Sequence, residues 1–179
     1  TFRQDLRCMN DLAEEIARIN GYDEIEATLP KVTAGIGGIT YEESINRMAQ
    51  NIMEENGFSQ GMTYSFESPK VFDKLLIPAD DNIRNAITIS NPLGEDFSIM
   101  RTLPLNGLLT SLSTNFNRRN KNVKLYEMAK VYLPKALPLT ELPDEKVRLA
   151  AGFYGEGDFF TMKGVVEELF AHMNIKDME

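Results

Sequence analysis

Hydrophobic positions recur along this chain with two different periods, and the switches between them mark its elements. Between Tyr41 and Gly57, Ile45, Met48, Ala49, Ile52 and Met53 fall at i, i+3, i+4, i+7 and i+8, one face of a helix. Thr40 stands at the N-cap position of that helix, Glu43 completes a capping box, and Gly57 supplies the stop. Upstream, Asn10–Asn20 carries Leu12, Ile16 and Ile19 on one stripe and ends at Gly21. A third helix is expected from Pro104 to about Asn117 with Leu105, Leu108, Leu109 and Leu112, and a last one from Phe160 to His172. Val123–Leu133 alternates, as does the run through Val147, Leu149, Ala151 and Phe153, and a period of two predicts strands. Shorter strands are expected near Met62–Phe66 and Ala86–Ser90. Ser68-Pro69 opens a short helix, and Asn91-Pro92-Leu93-Gly94 is a turn.

This order is α+β, and the hairpin-like spacings predict a mainly antiparallel sheet flanked by helices. Lys31–Thr40, KVTAGIGGIT, reads as a linker; its GIGG is no phosphate loop, because no Gly-Lys-Ser/Thr follows. The expected organisation is therefore the tail of a small helical module over 1–30, a linker over 31–39 and a main domain over 40–179. The chain starts inside an extended segment and stops just after a helix, the pattern of a piece excised from a longer polypeptide. Met48, Met53 and Met62 are read as core filling rather than an adaptable interface.

Composition narrows the class. At 179 residues, 42% hydrophobic and 26% charged, the chain can bury one sizeable core. No stretch approaches the run of about 20 apolar residues that a membrane helix needs. The single cysteine, Cys8, excludes an internal disulfide and fits a reducing cytosol, so a cytoplasmic location is expected. A net charge of −8 argues against autonomous binding to nucleic acid, whose affinity comes largely from cationic contacts to phosphate. Arg118, Arg119 and Lys121 form the one dense basic patch, read as a solvated loop or a partner contact.

Four carboxylates open the chain: Asp5, Asp11, Glu14 and Glu15. On a helix turning about 100° per residue, Asp11, Glu14 and Glu15 share about a third of the circumference, and Asp5 lies within reach. Hard oxygen ligands in this pattern suit Mg²⁺, which takes only part of its shell from protein. The same residues satisfy a purely structural reading, with Asp11 as N-cap, Glu14 at N3 and Arg18 pairing with Glu14. Spacing alone leaves both readings open. Elsewhere the chemistry is sparse. His172 is the sole histidine, Cys8 has no partner base, and there is no His/Cys cluster for zinc.

The string RQDLRCMNDLAEEIARINGYDEIEATLP (Arg3–Pro30) resembles the beta subunit of bacterial-type phenylalanyl-tRNA synthetases. The likeness continues through MTYSF (Met62–Phe66), ISNPLGEDFSIMRTLPLNGLL (Ile89–Leu109), KLYEMAKVYLP (Lys124–Pro134) and FFTMKGVVEEL (Phe159–Leu169). Five segments in the family's order cover nearly the whole chain. The resemblance implies a class II aminoacyl-tRNA synthetase-like, catalytic-like domain over 40–179. It also implies a Mg²⁺ held by Asp5, Asp11, Glu14 and Glu15 and shared with a catalytic alpha subunit.

Class II catalytic chains hold the ATP α-phosphate with an Arg two residues before a Glu. Here that stretch is Leu125-Tyr126-Glu127, so a leucine stands where the arginine belongs. The resemblance therefore implies a non-catalytic part of phenylalanine–tRNA ligase, with ATP bound by the alpha subunit and not by this chain. Implied partners are that alpha subunit, in a dimer of αβ pairs, and tRNA(Phe) through the whole complex, with no membrane. Two other readings are a stand-alone interaction scaffold and a small Mg²⁺-dependent hydrolase; the hydrolase lacks a general base beyond its ligands.

Overall fold

The computed structural model describes residues 2–33 and 35–176 and divides into two compact units, Thr1–Gly38 and Ile39–Glu179. The first unit is built on helix α1 (Met9–Asn20). Its capping differs from the expectation by one turn. Cys8 is the N-cap, and Asp11, at N3, reaches back to accept the N–H groups of Arg7 (2.6 Å) and Cys8 (2.8 Å). A carboxylate one turn into the helix satisfies two unpaired N–H groups at once, so Asp11 caps from inside and Glu14 is left out. The helix ends at Gly21, whose φ of 99° admits glycine readily. Leu12, Ile16 and Ile19 form the expected stripe but are exposed.

The second unit begins with α2 (Tyr41–Glu55), opened by the Thr40/Glu43 capping box: the Glu43 carboxylate accepts the Thr40 N–H at 2.7 Å, and Thr40 Oγ1 accepts the Glu43 N–H at 3.2 Å. There follow β1 (Ser59–Gln60), β2 (Phe66–Glu67), α3 (Val71–Lys74) and β3 (Ile99–Met100). Helix α4 (Leu105–Asn117), strands β4 (Val123–Leu133) and β5 (Asp144–Tyr154), and α5 (Phe159–His172) complete it. The main sheet has the order β1-β4-β5. β4 and β5 pair antiparallel from Val123↔Tyr154 to Leu133↔Asp144, while β1 runs parallel to β4. β2 and β3 form a separate antiparallel pair.

The expected antiparallel character thus holds for two of three pairings, and the sheet is mixed. The strand expected near Met62–Phe66 is displaced. Residues on either side of it pair, while Gly61 donates to the Tyr126 carbonyl (2.7 Å) and the chain then leaves the sheet. Ala86–Ser90 reduces to one bridge, Thr88↔Ile99.

Alternation along β4 and β5 separates two apolar layers. Tyr126, Met128, Leu149, Ala151 and Phe153 pack with α2 and α5 around Ala49, Ile52, Met53, Phe58, Val165 and Leu169. On the opposite face Val123, Leu125, Ala150 and Tyr154 pack under Leu108 and Leu112 of α4. A fully buried side chain of this size contributes about 1.5–3 kcal/mol. Tyr126, completely buried, also donates its hydroxyl to Glu54 (3.0 Å), and burial pushes its pKa up to about 12.

Candidate functional site

Two places hold the chemistry of this chain, one in each unit. In the first, Arg3 binds Asp5 (Nη2 to Oδ2, 2.6 Å) and Glu15 (Nη2 to Oε1, 2.9 Å), so these two carboxylates converge on one cation. Arg18 adds a bond to the other oxygen of Glu15 at 2.7 Å. Hydrogen bonds from Arg3 hold Asp5 down to about 2, and those from Arg18 and Arg3 do the same to Glu15. Asp11 is also lowered, chiefly by the main-chain N–H groups of Arg7 and Cys8. Arg18 pairs with Glu15, not with Glu14 as the spacing suggested, and Glu14 is exposed.

The donors have the right chemistry for Mg²⁺, and two of the four are brought together. Asp11 is turned to the backbone and Glu14 stays apart. Among the described residues no three His, Cys, Asp or Glu side chains are arranged around a common metal position.

The second place lies on the α4 face of the main sheet. Glu127 of β4 accepts from Arg101 (Nη1 to Oε1, 2.9 Å), from the Thr63 N–H (3.2 Å) and from the Thr63 hydroxyl (2.8 Å). Arg101 also donates its Nε–H to the Lys130 carbonyl at 2.8 Å. Gly107 makes this possible. An ideal Cβ there would lie 2.6 Å from the Thr63 Cβ, so only glycine lets α4 approach.

Beside the pair, the Gly61–Ser65 segment, β2 and α4 border an open cavity of about 650 Å³. Met62, Tyr64, Phe66 and Phe97 form its apolar side, and Glu67 and Asn106 its polar side. Glu67 is 6% exposed, and burial raises its pKa against the opposing hydrogen bond from Asn106.

Leu125 sits in the apolar cluster under α4, two residues before Glu127. Its side chain packs against the cluster of Leu108, Leu112 and Ala150. Other residues singled out in the sequence do little at either place. His172 lies 3.0 Å from the Glu168 carbonyl through Nδ1. Arg118, Arg119 and Lys121 are exposed, and Cys8 is a free exposed thiol. Met62, expected in the core, is exposed and lines the cavity. Periodicity missed Thr63, Glu67, Arg101 and Asn106. A lone arginine next to Ile99-Met100 was the available signal.

The sequence model of the family described as "Phenylalanyl tRNA synthetase beta chain CLM domain" matches residues 25–179. The chain belongs to this family. The "Phenylalanine--tRNA ligase beta subunit" of Clostridium tetani is 43% identical over 98% of this chain, and that of Clostridium acetobutylicum 42% over 94%. The chain spans 22% and 21% of the length of these two relatives. Among solved structures, the pyrrolysyl-tRNA synthetase of Desulfitobacterium hafniense superimposes with a TM-score of 0.58 at 15% identity, over 78% of this chain and 47% of that one. At that identity the likeness concerns the fold alone, which is the α+β, class II synthetase-like fold. Asp5, Asp11, Glu14 and Glu15 lie upstream of the matched CLM segment.

Proposed function

We propose that this chain is a non-catalytic part of the beta subunit of a phenylalanine–tRNA ligase, supporting the alpha subunit's active site and the αβ interface while tRNA(Phe) is charged with phenylalanine. The carrying observation is Leu125 packed under α4 at the position where a class II catalytic chain presents its phosphate-binding arginine. Without that cation the chain has no means of stabilising charge at an ATP α-phosphate, so ATP is bound by the alpha subunit. Asp5 and Glu15, already converging on one cation, would supply part of a Mg²⁺ shell, with Asp11 and Glu14 turning in when the alpha subunit completes it. The ion would supply charge neutralisation between the two chains. The expected assembly is a dimer of αβ pairs in the cytoplasm; among the described residues no helix is long and apolar enough to cross a membrane.

Helix α2 is the preferred alpha-facing element. Its inner stripe is buried, so the informative positions are its flanks, and Arg47 there is exposed. The test mixes the chain with the alpha subunit and follows association by analytical ultracentrifugation, alongside phenylalanine-dependent exchange of pyrophosphate into ATP. The chain alone should give no exchange, and Arg47→Glu should weaken association without lowering the melting temperature. Exchange that scales with the amount of pure chain would overturn the non-catalytic reading. Failure of the unaltered chain to associate would overturn the supporting role.

A further inference from the structure

The polar side of the cavity holds more negative than positive charge. Glu67 is buried and is the one charged side chain among the described lining residues, while Glu127 lies outside the lining and is paired with Arg101 through Nη1. Glu67 takes a hydrogen bond from the neutral Asn106 amide, and among the described residues no cation forms an ion pair with it; Arg101 acts on it only at longer range. A buried carboxyl so placed is incomplete: it stays protonated, or it acquires a positive partner.

Across from it the lining is aromatic and aliphatic. Tyr64 and Phe97 meet edge to face with ring centroids 5.8 Å apart, and Phe66 and Met62 extend that wall. Aromatic rings carry negative faces that attract cations and also bury apolar bodies. The volume, about 650 Å³, lies within the usual range of about 300–1,000 Å³ for small-molecule sites.

We infer that this cavity binds a small organic cation, an ammonium group carried on an apolar or aromatic body, with the Glu67 carboxylate as counter-ion and the Tyr64, Phe66 and Phe97 rings around the body. The bond from ammonium to carboxylate is charge-assisted, while the aromatic wall sets the shape accepted. An anionic ligand of the same shape meets the Glu67 carboxylate with no cation in the described lining to offset it, and is rejected. This reading rests on the cavity alone and stands whether or not the chain assembles into a ligase.

The probe is 2-phenylethylamine, titrated at neutral pH into the 179-residue chain and followed by amide and methyl resonances. Two comparators on the same phenylethyl body, the isosteric 2-phenylethanol and the slightly larger 3-phenylpropanoate, differ from it in charge. The amine should shift Met62, Tyr64, Asn106 and Thr110 and bind about tenfold tighter than the alcohol, the difference made by one hydrogen bond to a charged group. The propanoate should leave these resonances in place. Glu67→Gln keeps the shape and should weaken the amine about tenfold, down to the affinity of the alcohol. Thr110, exposed on the rim, offers an independent block: Thr110→Trp should fold and reduce amine affinity by about tenfold or more through filling the mouth. Equal binding of amine and alcohol, shifts confined to other surfaces, or no shift at millimolar amine would overturn the proposal. So would unchanged affinity in a folded Glu67→Gln chain; should that variant not fold, unchanged affinity in Thr110→Trp decides against it.

Discussion

Arg101 and Glu127 meet at 2.9 Å with only 5% and 4% of their side chains open to solvent. Arg101 directly follows β3 and Glu127 lies on β4, and they are joined by Thr63, which contacts both: its hydroxyl is 3.2 Å from Arg101 Nη1 and 2.8 Å from Glu127. A pair this deep is held by being complete. Its charges cancel, and Thr63 occupies part of the acceptor capacity that would otherwise be stranded.

Removing one partner should therefore cost far more than altering both. Arg101→Met is expected to destabilise the chain by about 3 kcal/mol, because it leaves Glu127 as an unpaired buried charge. Adding Glu127→Gln, which keeps an acceptor for Thr63, should recover at least about 1 kcal/mol. Urea denaturation of the two single variants and the double variant measures the coupling. Strict additivity would show that the two side chains do not act as a pair.

Two glycine substitutions should move stability in opposite directions. Gly107→Ala drives a methyl into Thr63 and should cost about 2 kcal/mol through overpacking at a site that cannot relax cheaply. Gly164 sits exposed within α5 with open space where its Cβ would be, so Gly164→Ala should stabilise by about 0.5–1 kcal/mol. Thermal melts of the two variants test both at once; equal shifts of the same sign would contradict the packing described at Gly107.

Glu67 sets a pH dependence with a definite sign. Burial raises its pKa in the folded chain above the unfolded value, so its favourable contribution is present below the unfolded pKa. That contribution is lost as pH rises through the folded pKa. Glu67→Gln cannot ionise and should gain stability relative to the parent as pH rises from about 4 towards neutrality. Parallel denaturation curves at several pH values give the answer, and a constant difference between the two proteins would refute the assigned shift.

The opposite sign holds for Asp5 and Glu15. Both are lowered to about 2 by arginine partners, so their contribution is present above the unfolded carboxylate pKa and lost as pH falls towards 2. Carbon-detected titration of the two carboxyls should place both midpoints near 2. Mg²⁺ should perturb these signals weakly in the chain alone and strongly once the alpha subunit is present, with Asp11→Asn and Glu15→Gln reducing the response. Tight stoichiometric binding by the chain alone, indifferent to both substitutions, would remove these carboxylates as ligands.

Long elements with one clear period could be read directly. The Thr40 cap, the stripe of α2, and the β4 and β5 alternation all arise from local rules acting over many residues. The short strands could not be read this way. Two-residue β1 and β2 are defined by pairing with Leu125–Tyr126 and Ile99–Met100, and nothing local marks where Gly61 turns away. The capping of α1 was misjudged because Asp11 suits N-cap or N3 equally well by type, and only the contact to the Arg7 and Cys8 N–H groups distinguishes them. Of the four acidic residues, the sequence indicated that a cation belongs near them and offered Arg18, though beside Glu14 rather than Glu15; nothing in it pointed to Arg3. The buried group around Glu127 was missed because its members are scattered from Thr63 to Glu127, and long-range hydrogen bonding leaves no periodic trace.

One consequence of Arg101 concerns the flank of β4 that faces away from β5. β1 covers that flank only at Leu125 and Tyr126. Further along, the Arg101 side chain takes the Lys130 carbonyl and the Arg101 carbonyl takes the Tyr132 N–H at 3.0 Å. A single residue thus closes a strip of main chain that would otherwise offer itself as a template for a strand from another molecule. Loss of Arg101 would open this rim, and the first symptom in a concentrated solution would be self-association through added strands.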